Sequence, residues 1–443
     1  MSDQEAAIID PLREIKPYLE RAKKDGVRIK YIFETHFHAD FVSGHVDLAN
    51  ATGATIVYGP NSATTFKAHH AFDGEEFKVG DIKLKVLHTP GHTLESTCYL
   101  LRDENNKDQA IFTGDTLFIG DVGRPDLAQK TSDFTKEQLA GLLYESLRTK
   151  IMTLGDDVIV YPAHGAGSAC GKNMSKETVS TIGIQKKINY ALRGNMTKEE
   201  FIKEVTDGLL PPPPYFALNV KMNKEGYHNI DDVLQQGIRP LSVDDFEAAA
   251  NETNALVLDT RNPERFVEGF IPNSINIGIE GTFAPWVGAL ITDIKQHILL
   301  ITEPGRAEEV VTRLARVGYD YVVGFLDGGF EAWKNAGKET DHIVSITAFD
   351  FAHEYLLNSI DVVDVRRPNE FDDAHIKTAK TIPLDFINDK MREFPKDHTI
   401  YLHCAGGYRS VIAASILKSR GFDNIVNVEG GFDAIKETDV PLT

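Results

Sequence analysis

Short runs of apolar residues, several alternating with polar ones, recur through the first half of the chain. Ile29 to Thr35, Thr55 to Tyr58, Ile82 to His88, Ser96 to Leu101, Ala110 to Thr113 and Val158 to Tyr161 are rich in β-branched or aromatic residues, and each predicts a strand. Between and around them, Pro11 to Lys24, Phe134 to Leu147 and Lys176 to Leu192 carry helical spacing. The pattern then breaks at Pro211-Pro212-Pro213-Pro214, after which Gly, Asn and Lys are frequent. Four consecutive prolines cannot continue a helix and favour an extended path, so a linker is expected at about 208–235.

Beyond that point the chain repeats itself. Val257-Leu258-Asp259-Thr260-Arg261-Asn262-Pro263 returns as Val363-Asp364-Val365-Arg366-Arg367-Pro368, and Gly328-Gly329-Phe330 returns as Gly430-Gly431-Phe432. A period of about a hundred residues predicts two homologous units. Each alternates strand and helix, the pattern of a parallel sheet with helices on both faces. The expected domains are therefore 1–235, 236–340 and 341–443, and the fold class is α/β multidomain.

Composition adds bounds. A length of 443 residues fits about three domains, and 42% hydrophobic with 26% charged residues excludes a largely disordered chain. The formal net charge of −19 makes nucleic acid an unsuitable partner for the overall field, though a local basic pocket for a small anion remains open. Three cysteines argue against a disulfide framework and for a reducing compartment. No apolar run approaches the ~18 residues needed to cross a bilayer. The acidic start, Met1-Ser2-Asp3-Gln4-Glu5, lacks signal-peptide features, so a cytoplasmic protein without a membrane partner is expected.

The densest chemistry is Thr35-His36-Phe37-His38-Ala39-Asp40-Phe41, directly after a strand. His92, Asp115 and His164 each follow another predicted strand, in Thr89-Pro90-Gly91-His92, Thr113-Gly114-Asp115 and Tyr161-Pro162-Ala163-His164. Imidazoles and carboxylates delivered from several strand ends can enclose zinc or iron while leaving a face open.

These motifs resemble the metallo-β-lactamase superfamily, a sandwich of two sheets flanked by helices (αββα), over roughly residues 6–195. In that family a His usually stands where this chain has Phe41, and in the binuclear zinc hydrolases that His belongs to the second metal site. The resemblance therefore implies one metal, held by His36, His92 and Asp115 as a 2-His-1-carboxylate triad suited to Fe(II), one per chain, with zinc as the alternative. Together with Gly120-Asp121-Val122-Gly123-Arg124-Pro125-Asp126-Leu127, it points to the persulfide dioxygenase branch. His38, Asp40 and His164 would then stand behind the ligands or serve an alternative metal, and Arg124 would pair with an anionic thiol carrier or simply fix its loop. In that branch a strand pair usually precedes the segment matching Ile8-Ile9-Asp10-Pro11. Only a few residues precede it here, so either the chain begins late or an edge of the first sheet is exposed.

A second constellation lies near the end. The apolar strand Ile400-Tyr401-Leu402-His403 runs into Cys404-Ala405-Gly406-Gly407-Tyr408-Arg409-Ser410 and then a helical stretch. In such a turn, backbone N–H groups and a helix N-terminus face the sulfur and stabilise a thiolate, a persulfide or an incoming oxyanion. Gly406 and Gly407 let the chain fold closely around it, and Arg409 adds positive charge. This loop resembles that of rhodanese-type sulfurtransferases, with Asp364, Arg366 and Gly430-Gly431-Phe432 matching the same fold. The resemblance makes Cys404 the sulfur carrier. In the earlier repeat, Thr302 aligns with Cys404 in a turn one residue shorter, so that unit is expected to be inactive and to act as a spacer or contact surface. Cys98, in an apolar strand, is expected in the core. Cys170 could face the metal cleft or relay sulfur, but a structural place is the stronger expectation.

The order of the three units resembles the bacterial persulfide dioxygenase–rhodanese fusions of sulfide detoxification. That implies a low-molecular-weight thiol persulfide, O₂ and sulfite as reactants, thiosulfate as product, and a homo-oligomer. The alternative is a binuclear zinc thioesterase of the glyoxalase II type with an accessory sulfurtransferase domain.

Overall fold

The computed structural model describes residues 1–127, 134–165, 168, 170–172, 174–209 and 211–443. It divides into two compact units, Met1–Ile230 with Arg316–Gly318 and Asp231–Ala315 with Tyr319–Thr443. Among the described residues no helix is long and apolar enough to cross a membrane.

The first unit contains two sheets. One is parallel, in the order β1 (Glu5–Ile9), β2 (Arg28–Glu34), β3 (Thr55–Tyr58), β4 (His69–His70). The other comprises β5 (Glu76–Val79), β6 (Ile82–His88), β7 (Thr97–Arg102), β8 (Asp108–Gly114), β9 (Ile159–Pro162) and β10 (Ser180–Thr181), arranged 10-9-8-7-6-5. It is antiparallel except between β8 and β9. The period-two pattern explains the layering. Phe33 and Val57 from the first sheet meet Phe77, Leu84, Val86 and Tyr99 from the second in one buried cluster. The opposite faces carry Ile32 and Ile56 against helix Lys16–Asp25, and Cys98, Leu100 and Ile111 against helix Lys136–Ser146. This is the expected αββα sandwich, with Cys98 in its core. Strand β1 forms an edge of its sheet.

Three local readings need correction. The helix expected from Pro11 starts at Lys16, with Pro17 in its first turn, where a missing N–H costs nothing. The helix expected over Lys176 to Leu192 begins only at Ile182, because Ser180 and Thr181 pair with β9 and Thr181 caps the helix by accepting the Ile184 N–H. The expected linker is largely helical, Phe216–Glu225 and Ile230–Gly237. Asn223 in the first of these is fully buried, donates to the carbonyls of His38 and Phe41, and accepts the Ser43 N–H. The helix is thus part of the wall behind the His-rich loop.

The second unit holds two five-stranded parallel sheets of identical order. The first comprises β11 (Pro240–Leu241), β12 (Leu256–Asp259), β13 (Ile275–Asn276), β14 (Ile298–Ile301) and β15 (Val322–Leu326), arranged 11-15-14-12-13. The second comprises β16 (Val344–Ile346), β17 (Asp361–Asp364), β18 (Lys380–Thr381), β19 (Ile400–His403) and β20 (Ile425–Val428), arranged 16-20-19-17-18. The sequence repeat is therefore a structural repeat.

Candidate metal centre and thiol loop

Strands β2, β6 and β8 end near one another, and the loops that follow deliver His36, His92 and Asp115. All three are buried, and their donor atoms lie within 4.8 Å of one another. Nε2 of His92 is 3.3 Å from Asp115 Oδ2, and Nε2 of His36 is 3.9 Å from it. The two rings stand 5.0 Å apart and almost perpendicular. Gly114 makes the approach possible: it has φ +50°, and a Cβ there would lie 2.5 Å from the Thr35 hydroxyl.

Each imidazole is aimed from behind. His92 Nδ1 donates to the Arg124 carbonyl at 2.8 Å. His36 Nδ1 meets the Thr35 hydroxyl at 3.0 Å, and that hydroxyl donates to Asp10 Oδ2 at 2.9 Å. Both Nε2 atoms are therefore left as acceptors toward the cleft. Burial, and then the neighbouring His38, His92 and His164, push His36 well below the ordinary histidine range, so it is neutral, as a ligand must be. Asp115 is buried, and among the described residues neither of its oxygens has a hydrogen-bond partner. A buried carboxylate without hydrogen bonds is costly, and a cation among these three groups answers that cost.

The other predicted residues separate into two groups. His38 turns away from the trio. Its Nε2 lies 3.0 Å from Asp10 Oδ1 and 3.5 Å from Glu34 Oε2, and its ring packs on Phe41 at 4.3 Å between centroids. Burial would push His38 down, but Asp10 first, then Glu34 and Asp40, hold it up at about 9. Glu34 also accepts from Ser43 at 2.6 Å and faces His45 at 3.7 Å, and burial reinforced by Asp10 pushes its carboxyl well above the usual range. The sequence offered a signal for this buried group: Glu34 is a charged residue closing the apolar run Tyr31-Ile32-Phe33.

Asp40 and His164 stay in the cleft. His164 Nε2 is 3.3 Å from Asp40 Oδ2 and 3.3 Å from Asp115 Oδ1. Cys170, itself buried, joins them with its donor atom inside the same 4.8 Å limit, so it faces the cleft. Gly167 and Ala169 of its motif lie outside the described residues. Arg124 donates through Nε and Nη2 to Asp126 at 2.7 Å, a contact that fits the loop-fixing reading of this residue. Lys221 and Lys224, on the unexpected helix Phe216–Glu225, also stand beside the cleft. They share a cavity of about 430 Å³ with His92, Phe37, Leu94 and Leu127.

In the last repeat Cys404 follows β19 and is almost fully buried. Gly407, at φ +98°, points its N–H at Sγ from 3.1 Å, at the start of helix Tyr408–Ser419. The turn after β20 clasps the loop through the Phe432 and Asp433 N–H groups, which donate to the Cys404 and Ala405 carbonyls. Gly406 has open space around it. Arg409 does not stand free: both terminal nitrogens donate to Glu370 at 2.6 Å. Tyr408 donates from its hydroxyl to the Gly278 carbonyl of the earlier repeat at 2.7 Å.

Comparison with known proteins agrees with this partition. The metallo-beta-lactamase superfamily model matches residues 2–164, and the rhodanese-like domain model matches 242–336 and 352–438. The mitochondrial persulfide dioxygenase ETHE1 of Homo sapiens is 32% identical over 222 residues, 50% of this chain and 78% of that protein. A hydroxyacylglutathione hydrolase of Tolumonas auensis is 34% identical over 220 residues, 43% of this chain and 79% of that one. A solved metallo-beta-lactamase from Staphylococcus aureus superposes with a TM-score of 0.64 at 33% identity, covering 73% of this chain and 91% of that chain. A dioxygenase and a hydrolase thus stand at similar distance, and overall likeness does not choose between them. The chain belongs to the metallo-β-lactamase superfamily, with an N-terminal domain homologous to persulfide dioxygenase ETHE1 and two rhodanese-like domains behind it.

Proposed function

We propose that this protein is a non-haem Fe(II) persulfide dioxygenase joined to a sulfurtransferase, working in sulfide detoxification in the cytoplasm. The observation that carries the reading is the trio His36, His92 and Asp115, with both imidazoles held as Nδ1 donors and the carboxylate without a hydrogen bond among the described residues. When bound there, Fe(II) supplies the redox chemistry that lets O₂ react with a persulfide sulfur. Overall, R–S–SH, O₂ and water become R–SH, sulfite and two protons.

The chain's own residues do the rest. Thr35 with Asp10 keeps His36 in one tautomer, and the Arg124 carbonyl does the same for His92. The cavity beside His92 admits the carrier, its apolar wall of Phe37, Leu94 and Leu127 meeting the thiol end and Lys221 and Lys224 meeting carboxylates or phosphates. Cys404 takes sulfane sulfur from a second persulfide, releasing R–SH, and its own persulfide passes that sulfur to sulfite, giving thiosulfate and the free thiolate. The Gly407 N–H holds negative charge on Sγ at both stages. Phe41, which cannot ligate, weighs against the binuclear zinc thioesterase alternative.

Oxygen uptake on Fe(II)-loaded protein with a thiol persulfide, with products resolved, tests this. Wild type is expected to yield thiosulfate, and Cys404→Ser to consume O₂ and stop at sulfite. His36→Ala and Asp115→Ala lose uptake but retain sulfur transfer. Absence of uptake by wild type, with thioester hydrolysis in its zinc form, would establish the alternative.

A further inference from the structure

The first rhodanese-like repeat has no thiol at its turn, yet another of its turns belongs to the compact unit of the metal centre. Arg316 is the last residue of the helix Ala307–Arg316, and Arg316–Gly318 groups with Met1–Ile230. The Arg316 carbonyl accepts the Val42 N–H at 2.7 Å, and the Arg316 guanidinium pairs with Glu14, Nε donating to Oε2 at 3.0 Å. Val42 is fully buried and directly follows Asp40 and Phe41 in the His-rich loop. Gly318, at φ +87°, lies against the helix Phe216–Glu225. A Cβ there would stand 2.8 Å from Asn219 Oδ1, 3.1 Å from Met222 Sδ and 3.7 Å from Val42 Cγ2. Asn219 is fully buried, and one helical turn further on Asn223 holds the His38 and Phe41 carbonyls and the Ser43 N–H.

The second repeat supplies the control. Its matching turn ends the helix Tyr408–Ser419, and the two turns close alike: the Tyr319 N–H donates to the Leu314 carbonyl, and the Phe422 N–H to the Leu417 carbonyl, both at 3.1 Å. Gly421, at φ +76°, has open space where its Cβ would be. The left-handed backbone therefore asks for glycine in both repeats, whereas the close fit around it is confined to the first. We infer that Arg316 and Gly318 are positioning residues for the metal loop, so that the repeat without a thiol braces the segment that carries His36. The Arg316 peptide fixes Val42 directly. Gly318 acts through the helix it lets approach, because that helix carries Asn223. The distance from His36 to His92 and Asp115 is then set partly by these two contacts. The inference rests on the proposed metal trio for its effect on the ion, and on the contacts alone for its effect on the loop.

Amide hydrogen exchange at Val42 in the full-length protein, and cobalt titration of its metal-free form followed through the visible bands of the ion, test it. Gly318→Ala is expected to speed Val42 exchange and to weaken cobalt binding, each by about 10-fold. Gly421→Ala carries the same backbone strain without the contacts and is expected to change neither. Asn219→Ala added to Gly318→Ala removes the nearest obstacle and should bring both readouts back toward wild type. Arg316→Ala keeps the turn and is expected to speed Val42 exchange about 3-fold through loss of the Glu14 pair. Equal effects of Gly318→Ala and Gly421→Ala, or Val42 exchange indifferent to both Gly318→Ala and Arg316→Ala, overturn the inference. Neither readout uses O₂, which separates the two proposals. The expected exchange and cobalt results in a protein that takes up no O₂ overturn only the dioxygenase. O₂ uptake by the iron-loaded wild type, with Val42 exchange unchanged in the variants, overturns only the brace.

Discussion

Asp259 and Arg261 in the first rhodanese-like repeat, and Asp364 and Arg366 in the second, make nearly the same set of bonds. Each Arg donates to its Asp through Nε and Nη2, with a shortest contact of 2.6 Å in both, and reaches a carbonyl further on, Gly269 at 2.9 Å or Ala374 at 2.8 Å. Each guanidinium then covers a phenylalanine, Phe330 at 4.3 Å or Phe432 at 3.9 Å. The repeats differ at the turn that follows the central strand. After β19 the Gly407 N–H reaches the Cys404 sulfur. After β14 the Thr302 hydroxyl folds back to donate to the Glu303 carbonyl, and Arg306 pairs with Glu309 and Glu280 rather than with a counterpart of Glu370. The Asp–Arg–Phe frame and the turn after the central strand are therefore carried by different residues, and the turn differs between the repeats while the frame stays the same.

That separation can be broken experimentally. The largest effect is expected from Arg261→Ala and Arg366→Ala, each of which leaves a buried carboxylate unpaired and should cost about 3–5 kcal/mol in urea unfolding. Markedly unequal losses would show that the two frames are not equivalent. Tyr408→Phe removes the hydroxyl that reaches Gly278 and should cost about 0.5–1.5 kcal/mol while slowing sulfur transfer through Cys404. A stability loss with transfer unchanged would mean that the earlier repeat merely abuts the loop. The smallest effect is expected from Thr302→Cys in a Cys404→Ser background. A thiol without the extra turn residue and its N–H should restore no sulfur transfer, and restoration would place the chemistry in the thiol alone.

Much of this was legible in the chain. Period two marked Phe33, Val57 and Val86 as core, and the repeat of Asp-x-Arg with Gly-Gly-Phe exposed the duplicated domain. The metal trio was legible because each member follows a strand. The helix Phe216–Glu225 was not, because it buries Asn219 and Asn223 where a helical pattern would show apolar residues, and because four prolines precede it. Its lysines, Lys221 and Lys224, were therefore missed. The company kept by Cys170 was illegible for another reason. Its neighbours Asp40 and Asp115 lie far away in sequence, and the loop's attachment to Asp121 and Arg124 helps bring them together.

Arg124 has a consequence for how this protein can be dissected. Its carbonyl fixes the His92 tautomer and its N–H holds the Cys170 backbone, so one residue's peptide groups serve both the imidazole and the loop that carries Cys170, while its guanidinium donates to Asp126. Side-chain scanning leaves the two peptide contacts in place, whereas an insertion or deletion beside Arg124 would disturb both at once.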